Sequence, residues 1–300
     1  MTLVDNGNNT NPYLNLALEE FLVRHADCSA TDYLLLYINQ PCFVLGKNQS
    51  IYKEVNFDFL RNQKLLAARR ISGGGTVYHD EGNVNFAFIS KFEDKKVNNY
   101  RWFNEPLIKA LNKAGIPAET DPRNNIICNG KKISGNAQFT DRKNIISHGT
   151  LLFNAELNLL RACLAENNFK VETKAVPSIK SSVINISEIN HQFKTAIELK
   201  DYLASELGTS ETKRLTKAEW QQIEKNAGGK FQSFEWIYGR SPATLIKKND
   251  LEIEVEDGKI RSIKTSLKLA DLTGVHYSFE TIKKALADDA NASEILSLIF

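Results

Sequence analysis

The chain has 300 residues, 42% of them hydrophobic and 25% charged, with a formal net charge of only +2. That length is enough for a large core, or for a large domain with a small companion, and the composition is that of a globular protein. So small a net charge gives no global field for nucleic acid, and no apolar run reaches membrane-spanning length.

Asn11-Pro12 reads as a helix cap with proline in the first turn, and Leu14, Ala17, Leu18, Phe21 and Leu22 repeat at helical spacing. Tyr33 to Ile38 reads as a strand, with Cys42 to Gly46 its neighbour across a turn at Pro41. Val55 to Ala67 carries a helical stripe, and Leu66 to Ile71 leads into a glycine-rich stretch, Ser72-Gly73-Gly74-Gly75-Thr76-Val77-Tyr78-His79. Three bare glycines let backbone N–H groups approach a ligand, and the forks of Arg69 and Arg70 suit an anion. The same residues also read as a glycine turn with two solvated arginines.

Val84 to Ile89 alternates as a half-buried strand, so the glycine stretch lies between β segments and is expected to form a hairpin-like loop. That excludes a strand–loop–helix phosphate cradle, and neither GxGxxG nor GxxxxGK[ST] is present. Trp102 to Ala114 is a helix closed by Gly115. Asn129-Gly130 predicts a tight hairpin. On its returning strand Lys132 and Ser134 are expected on one face and Lys131 with Ile133 on the other, so one lysine points to a site or both are solvated.

Ile145 to Phe153 reads as a strand with His148 and Gly149 in mid-run, where a glycine indicates close approach of backbone or ligand. Leu157 to Asn167, Ile197 to Leu207 and Lys217 to Lys225 are helical by period, and the Ser- and Lys-rich stretch from Lys174 to Val183 is a candidate lid. Near residue 244 the pattern changes. Leu251 to Val255 and Lys259 to Thr265 form a hairpin about Asp257-Gly258, followed by short helices from Phe279 to Ala287 and Ser293 to Phe300.

The expected fold class is α/β (α+β), with mixed sheets flanked by helices in a domain spanning 1–244 and a small α+β accessory domain at 245–300. The four cysteines (Cys28, Cys42, Cys128, Cys163) have no metal or redox spacing, and Met1 to Asn6 lacks an apolar signal core. A cytoplasmic protein with free thiols is the expectation.

Taken together, Arg70-x-Ser72-Gly73-Gly74-Gly75-x-Val77-x-His79-Asp80-x-Gly82-Asn83, Lys132-Ile133-Ser134-Gly135-x-Ala137 and His148-Gly149-Thr150-Leu151-Leu152 resemble the lipoate–protein ligases. Trp236-x-Tyr238-Gly239-x-Ser241-Pro242 resembles the end of that family's catalytic domain. The resemblance spans most of residues 11–244. It implies a biotin/lipoate-ligase-like fold and ATP-dependent conversion of lipoate to lipoyl-AMP. It also implies transfer to a lysine on apo lipoyl domains of 2-oxoacid dehydrogenase complexes or on glycine-cleavage H protein.

By resemblance Lys132 is the key lysine, contacting acyl carbonyl and phosphate. The resemblance also implies that Arg70 and the N–H groups of Gly75, Thr76, Val77 and Tyr78 hold nucleotide and acyl group. Gly73 and Gly74 would lie against the dithiolane tail, and Ser72, His79, Ser134, Gly135, His148 and Gly149 complete the lipoate and ATP site. Two departures stand out. Relatives commonly read Arg-Asn-Asp, the Asp helping to hold Mg2+, where this chain has Arg123-Asn124-Asn125, so Asn124 and Asn125 become the metal candidates through weaker amide oxygens. Ser181-Ser182-Val183 lacks the arginine many relatives carry before the valine.

Two competing functions remain. A cysteine-dependent octanoyl or lipoyl transferase needs no ATP, but its nucleophile falls in the loop where this chain reads Asp121 to Asn125, with Cys128 merely close by. A lipoyl-binding protein without catalysis would have no need of Lys132. A biotin ligase would carry a Gly-Arg-Gly-Arg loop, which is absent.

Overall fold

The computed structural model describes residues 1–163, 169–179, 181–207, 211–266 and 269–300, the side chains of Asp58 and Cys163 excepted. The chain begins with β1 (Thr2–Asp5), α1 (Pro12–His25), β2 (Tyr33–Tyr37), β3 (Cys42–Leu45), α2 (Ile51–Glu54), α3 (Phe57–Asn62), β4 (Leu66–Arg69), β5 (Val77–His79) and β6 (Asn83–Lys91). It continues with α4 (Tyr100–Lys113), β7 (Ala118–Thr120), β8 (Ile126–Cys128), β9 (Lys131–Thr140), β10 (Asn144–Leu152), α5 (Leu157–Cys163), β11 (Lys170–Thr173) and α6 (Ala196–Glu206). The last elements are β12 (Glu211–Arg214), α7 (Lys217–Asn226), β13 (Thr244–Lys248), β14 (Leu251–Glu256), β15 (Lys259–Lys264), α8 (Phe279–Ala285) and α9 (Ala292–Ile299).

This is a mixed α/β architecture. A large sheet runs β12-β1-β2-β6-β10-β9-β8-β7, parallel at β12/β1/β2 and antiparallel thereafter. Both of its faces are covered. Leu34, Leu36, Val84, Phe86 and Phe88 pack with Phe103 and Leu107 of α4 and with Leu199 and Leu203 of α6. On the opposite face Leu35, Tyr37, Ala87 and Ile89 pack with Leu18 and Leu22 of α1. Two-sided cover explains why β2 is apolar at successive positions. It also corrects the half-buried reading of Val84 to Ile89, since Asn85 and Ala87 are as buried as Phe86 and Phe88 beside them.

A second sheet, β4-β3-β5, is parallel on one side of β3 and antiparallel on the other. This corrects two expectations. Cys42–Leu45 does not neighbour Tyr33–Tyr37, and residues 51–69 hold two short helices and a strand, not one helix to Ala67. Asn56 caps α3 through Phe59 N–H, and Lys64, at φ +52, redirects the chain into β4.

The third sheet, β11-β13-β14-β15, draws β11 from upstream of residue 244. Its Ile246, Ile253 and Val255 share a core with Phe43, Leu45, Tyr52 and Tyr78, and with Tyr277 and Ile282 from the C-terminal segment. The helix expected from Leu157 to Asn167 is described as far as Cys163; its remainder lies outside the described residues. Among the described residues no helix is long and apolar enough to cross a membrane.

Candidate active site

Because β4 and β5 lie on either side of β3, residues 70–76 must cross the C-terminal end of β3. They form a crossover, where the sequence suggested a hairpin. The crossing is tight: a Cβ on Gly46 would stand 2.0 Å from Gly74 O. Backbone bonds from Arg70 N to Leu45 O (3.0 Å) and from Lys47 N to Ser72 O (2.8 Å) tie the loop to β3, and Gly74 takes φ +87.

The two arginines hold this loop from inside. Arg69, fully buried, donates to the carbonyls of Gly46 (3.0 Å), Gln49 (2.7 Å) and Ile237 (2.6 Å) and to Ser241 Oγ (3.1 Å). Arg70 donates to Val44 O (2.9 Å), Gly73 O (2.7 Å) and Gly75 O (2.7 Å), so the loop is wrapped around its guanidinium. Burial lowers both guanidinium pKa values to about 10, so both stay cationic at neutral pH. Arg69 is therefore a strut between the loop and the Trp236–Ser241 segment, while Arg70 brings positive charge to the floor of a cleft.

That cleft has a volume of about 320 Å3, the lower end of the range for small-molecule sites. Gly74, Gly75, Thr76 and Val77 form one wall, and His79, His148 and Gly149 line it from the sheet. The opposite wall comes from the β8–β9 hairpin, whose turn has Asn129 at φ +50 and Gly130 at φ +73. The register slips between Ile126 and Ile127, so Ile133 is an extra residue on β9. Ile133 enters the core, and Lys132 lines the cleft with Gly135 and Ala137. Ser134 is buried away from the cleft, which corrects the shared face expected for Lys132 and Ser134.

Lys132 lies directly over Gly135, where an added Cβ would meet Nζ at 2.8 Å and Cε at 2.9 Å. Burial lowers the Lys132 pKa, the carboxylate of Asp121 opposes that shift, and Arg70 adds to it. Gly135→Ala should displace a flexible lysine end without straining the backbone. We expect a roughly tenfold or greater loss of the acyl activation that the resemblance implies, with a thermal midpoint within a few degrees of the parent. Full activity in that variant would refute the placement of the amine.

Behind the glycine loop, Glu19 of α1 accepts from Tyr37 OH (3.0 Å) and pairs with His148 Nδ1 (2.7 Å). The carboxylate only accepts, so Nδ1 carries a proton, and Nε2 meets Ser72 Oγ at 2.6 Å. Ser72 is 1% exposed and does not line the cleft; it pins the loop to the large sheet. His79 is held by Asn39 Nδ2 at Nδ1 (3.0 Å) and by Thr150 Oγ1 at Nε2 (2.8 Å).

Burial, then Arg70 and His148, push the His79 pKa down to about 3. Its folded value lies below its unfolded value, so between about pH 6.5 and 3 the unfolded chain binds the extra proton and stability is lost as the pH is lowered. Urea unfolding at pH 7.5 and 5 should show the parent losing about 2 kcal/mol more than His79→Gln. Equal losses would remove His79 as the cause.

The remaining cover comes from the candidate lid. Ser178 Oγ accepts from Thr76 N–H (2.9 Å) and Gln49 Nε2 (3.0 Å) and donates to Glu54 Oε2. Ser182 O accepts from Lys132 N–H (2.9 Å), and Val176, Ile179 and Ser181 also line the cleft; Lys180 lies outside the described residues. Glu19, Gln49, Glu54 and Ser178 were missed in the sequence because each partner is distant along the chain; Glu19 and Glu54, buried acids in helices, were the available signal.

Other expected site residues stand elsewhere. Gly73 faces open space, Tyr78 packs in the third core, and Asn124, at φ +63, presents its carbonyl to Asn136 Nδ2 (2.8 Å). Asn125 lines the cleft and donates through Nδ2 to Asp121 Oδ2 (2.8 Å). Cys28, Cys42 and Cys128 are buried thiols whose pKa values burial raises.

The fold, with its cleft between a glycine crossover and a lysine-bearing hairpin, is that of solved lipoate–protein ligases. Lipoate-protein ligase A bound with ATP superposes with a TM-score of 0.67 at 24% identity, over 80% of this chain and 98% of that one. The Plasmodium falciparum LipL1 complex with lipoate gives 0.65 at 26% identity, over 100% and 98%. The lipoyl protein ligase A/B catalytic domain family matches residues 11–208, and the chain belongs to that family. It is 38% identical to lipoate-protein ligase LplJ of Bacillus subtilis strain 168 over 278 residues, covering 88% of this chain and 84% of that protein. Identity to lipoate–protein ligase 1 of Staphylococcus aureus strain Mu50 is 34%, covering 96% and 94%.

Proposed function

We propose that this chain is an ATP-dependent lipoate–protein ligase. A lipoate carboxylate oxygen attacks the α-phosphorus of ATP, forming lipoyl-AMP and releasing pyrophosphate. A lysine amine of an acceptor then attacks the acyl carbonyl, forming the amide and releasing AMP. The observation that carries this reading is the Lys132 ammonium over Gly135, facing the glycine loop across one cleft in a chain of this family.

Two anions must meet in the first step, and a fixed cation between carboxylate and phosphate stabilises the charge that develops. Arg70 holds the loop in shape and adds positive potential beneath it. Gly74 and Gly75 let a ligand approach bare backbone, and Ser178 must release the Thr76 N–H before a ligand oxygen takes it.

Mg2+ enters as part of the MgATP substrate. Among the described residues no group of three or more His, Cys, Asp and Glu is built to hold a metal, and the Asp121 carboxylate already takes three N–H donors. Of the two metal candidates from the sequence, only Asn125 offers the cleft an amide oxygen. A thiol-borne acyl intermediate finds no support at Cys128, which is 0% exposed.

The acceptors proposed are apo lipoyl domains of 2-oxoacid dehydrogenase complexes and glycine-cleavage H protein. A related archaeal system from Thermoplasma acidophilum pairs a bipartite lipoate protein ligase with its E2 lipoyl domain. The test is incubation with lipoate, MgATP and several purified apo acceptors, with the mass of each acceptor measured. A lipoyl adduct that requires ATP is expected. Modification without ATP, or none on any acceptor, would overturn the reading.

A further inference from the structure

The loop from Asp121 to Asn125 has a carboxylate at its first position and an amide at its last. Asp121 Oδ1 accepts from the N–H groups of Arg123 (2.8 Å) and Asn125 (2.8 Å), and Asp121 Oδ2 accepts from Asn125 Nδ2 (2.8 Å). A carboxylate accepts and does not donate, so the NH2 end of Asn125 must face Asp121, and its oxygen must face the other way. That oxygen points over Gly135: a Cβ built there would stand 4.0 Å from Asn125 Oδ1 and 2.8 Å from Lys132 Nζ. Amide oxygen and ammonium therefore both border the space over Gly135.

We propose that Asp121 is a positioning residue for acyl activation: it turns the Asn125 amide so that an oxygen, not an NH2 group, faces the Lys132 ammonium. The inference rests on the ligase reading above. An NH2 group in that place would set donor against donor and drive the lysine from its seat over Gly135. Asp121 acts through Asn125, because its own oxygens are already engaged by the three N–H groups.

The exchange of oxygen and nitrogen at the two positions tests this directly. In Asp121→Asn the remaining side-chain oxygen can still accept both backbone N–H groups, which places an NH2 where Oδ2 stood. Asn125 must then flip to offer its oxygen, and it presents its own NH2 to Lys132. In the double variant Asp121→Asn/Asn125→Asp, the NH2 group introduced at position 121 meets one oxygen of the carboxylate introduced at position 125. The other oxygen of that carboxylate again faces Lys132.

The measurement is lipoate-dependent exchange of labelled pyrophosphate into ATP, alongside thermal midpoints. Asp121→Asn should lose about tenfold or more in kcat with its midpoint held, and the double variant should recover to within about threefold of the parent. A loss under threefold in Asp121→Asn, or a double variant no faster than the single one, overturns the proposal. Asn125→Leu removes the same oxygen and leaves the Asp121 turn in place, so it decides the matter if Asp121→Asn folds poorly: unchanged exchange there also overturns the proposal. A parent protein without lipoate-dependent exchange would instead refute the ligase reading.

Discussion

Replacing Lys132 by alanine should lower lipoate-dependent pyrophosphate exchange by roughly a hundred- to a thousandfold, the range seen when one preorganised electrostatic donor is removed. The cations lining the cleft among the described residues are Arg70, Arg123 and Lys132. Arg70 is engaged by the carbonyls of Val44, Gly73 and Gly75 and cannot reach out without unwrapping the loop. Arg123 is exposed, where water screens its charge. His79 is uncharged at neutral pH, so it offers no substitute. Lys132 itself is joined to its neighbours by main-chain bonds, N–H to Ser182 O (2.9 Å) and carbonyl to Ile184 N–H (3.1 Å), which alanine keeps. The loss should therefore fall on chemistry, with the unfolding midpoint nearly unchanged. Exchange at the parental rate would sink the role assigned to the lysine.

How much of this was legible in the sequence depends on whether the signal is local. Asn129-Gly130 and Asp257-Gly258 specify their hairpins because positive φ at both turn positions is a property of those residues alone. The helix after Asn11 was legible for the same reason: its cap is a bond from Asn11 to Tyr13 N–H, two residues away. The glycine motif located the cleft but not its construction. That β4 and β5 flank β3 is a pairing of distant segments, and no periodicity in residues 66–79 encodes it.

The face shared by Lys132 and Ser134 failed for a related reason. Strict alternation assumes an unbroken ladder, and the extra Ile133 breaks it so that a large apolar side chain reaches the core. Buried polar partners were the least legible: Glu19 and His148 meet across 129 residues, and helical spacing alone reads Glu19 as surface. Asn125 was read as a missing charge. Its meaning depends on Asp121, four residues earlier, and appears only when the hydrogen bond between them is seen.

The same contrast between motif and construction yields the other large effect. From the sequence, weight falls on Gly73, Gly74 and Gly75; in the structure the least tolerant glycine at this site is Gly46, outside the motif. An alanine Cβ there would stand 2.0 Å from Gly74 O, 3.0 Å from Gly74 C and 3.2 Å from Gly73 C. All three are main-chain atoms, and neither side is free to yield. Gly46 is held by its N–H on Gln49 Oε1 (2.9 Å) and by Arg69 Nη1 on its carbonyl (3.0 Å), while Arg70 Nη2 grips Gly73 O and Gly75 O at 2.7 Å each. Gly46→Ala should therefore cost about 3 kcal/mol of stability or more and disable acyl activation in whatever protein folds. Gly73→Ala is the matched control, since its Cβ would meet nothing within 4 Å; its stability should stay within about 0.5 kcal/mol of the parent. Urea unfolding of both variants decides the point. Should Gly73→Ala prove the more damaging, the loop would be packed otherwise than by crossing over the end of β3.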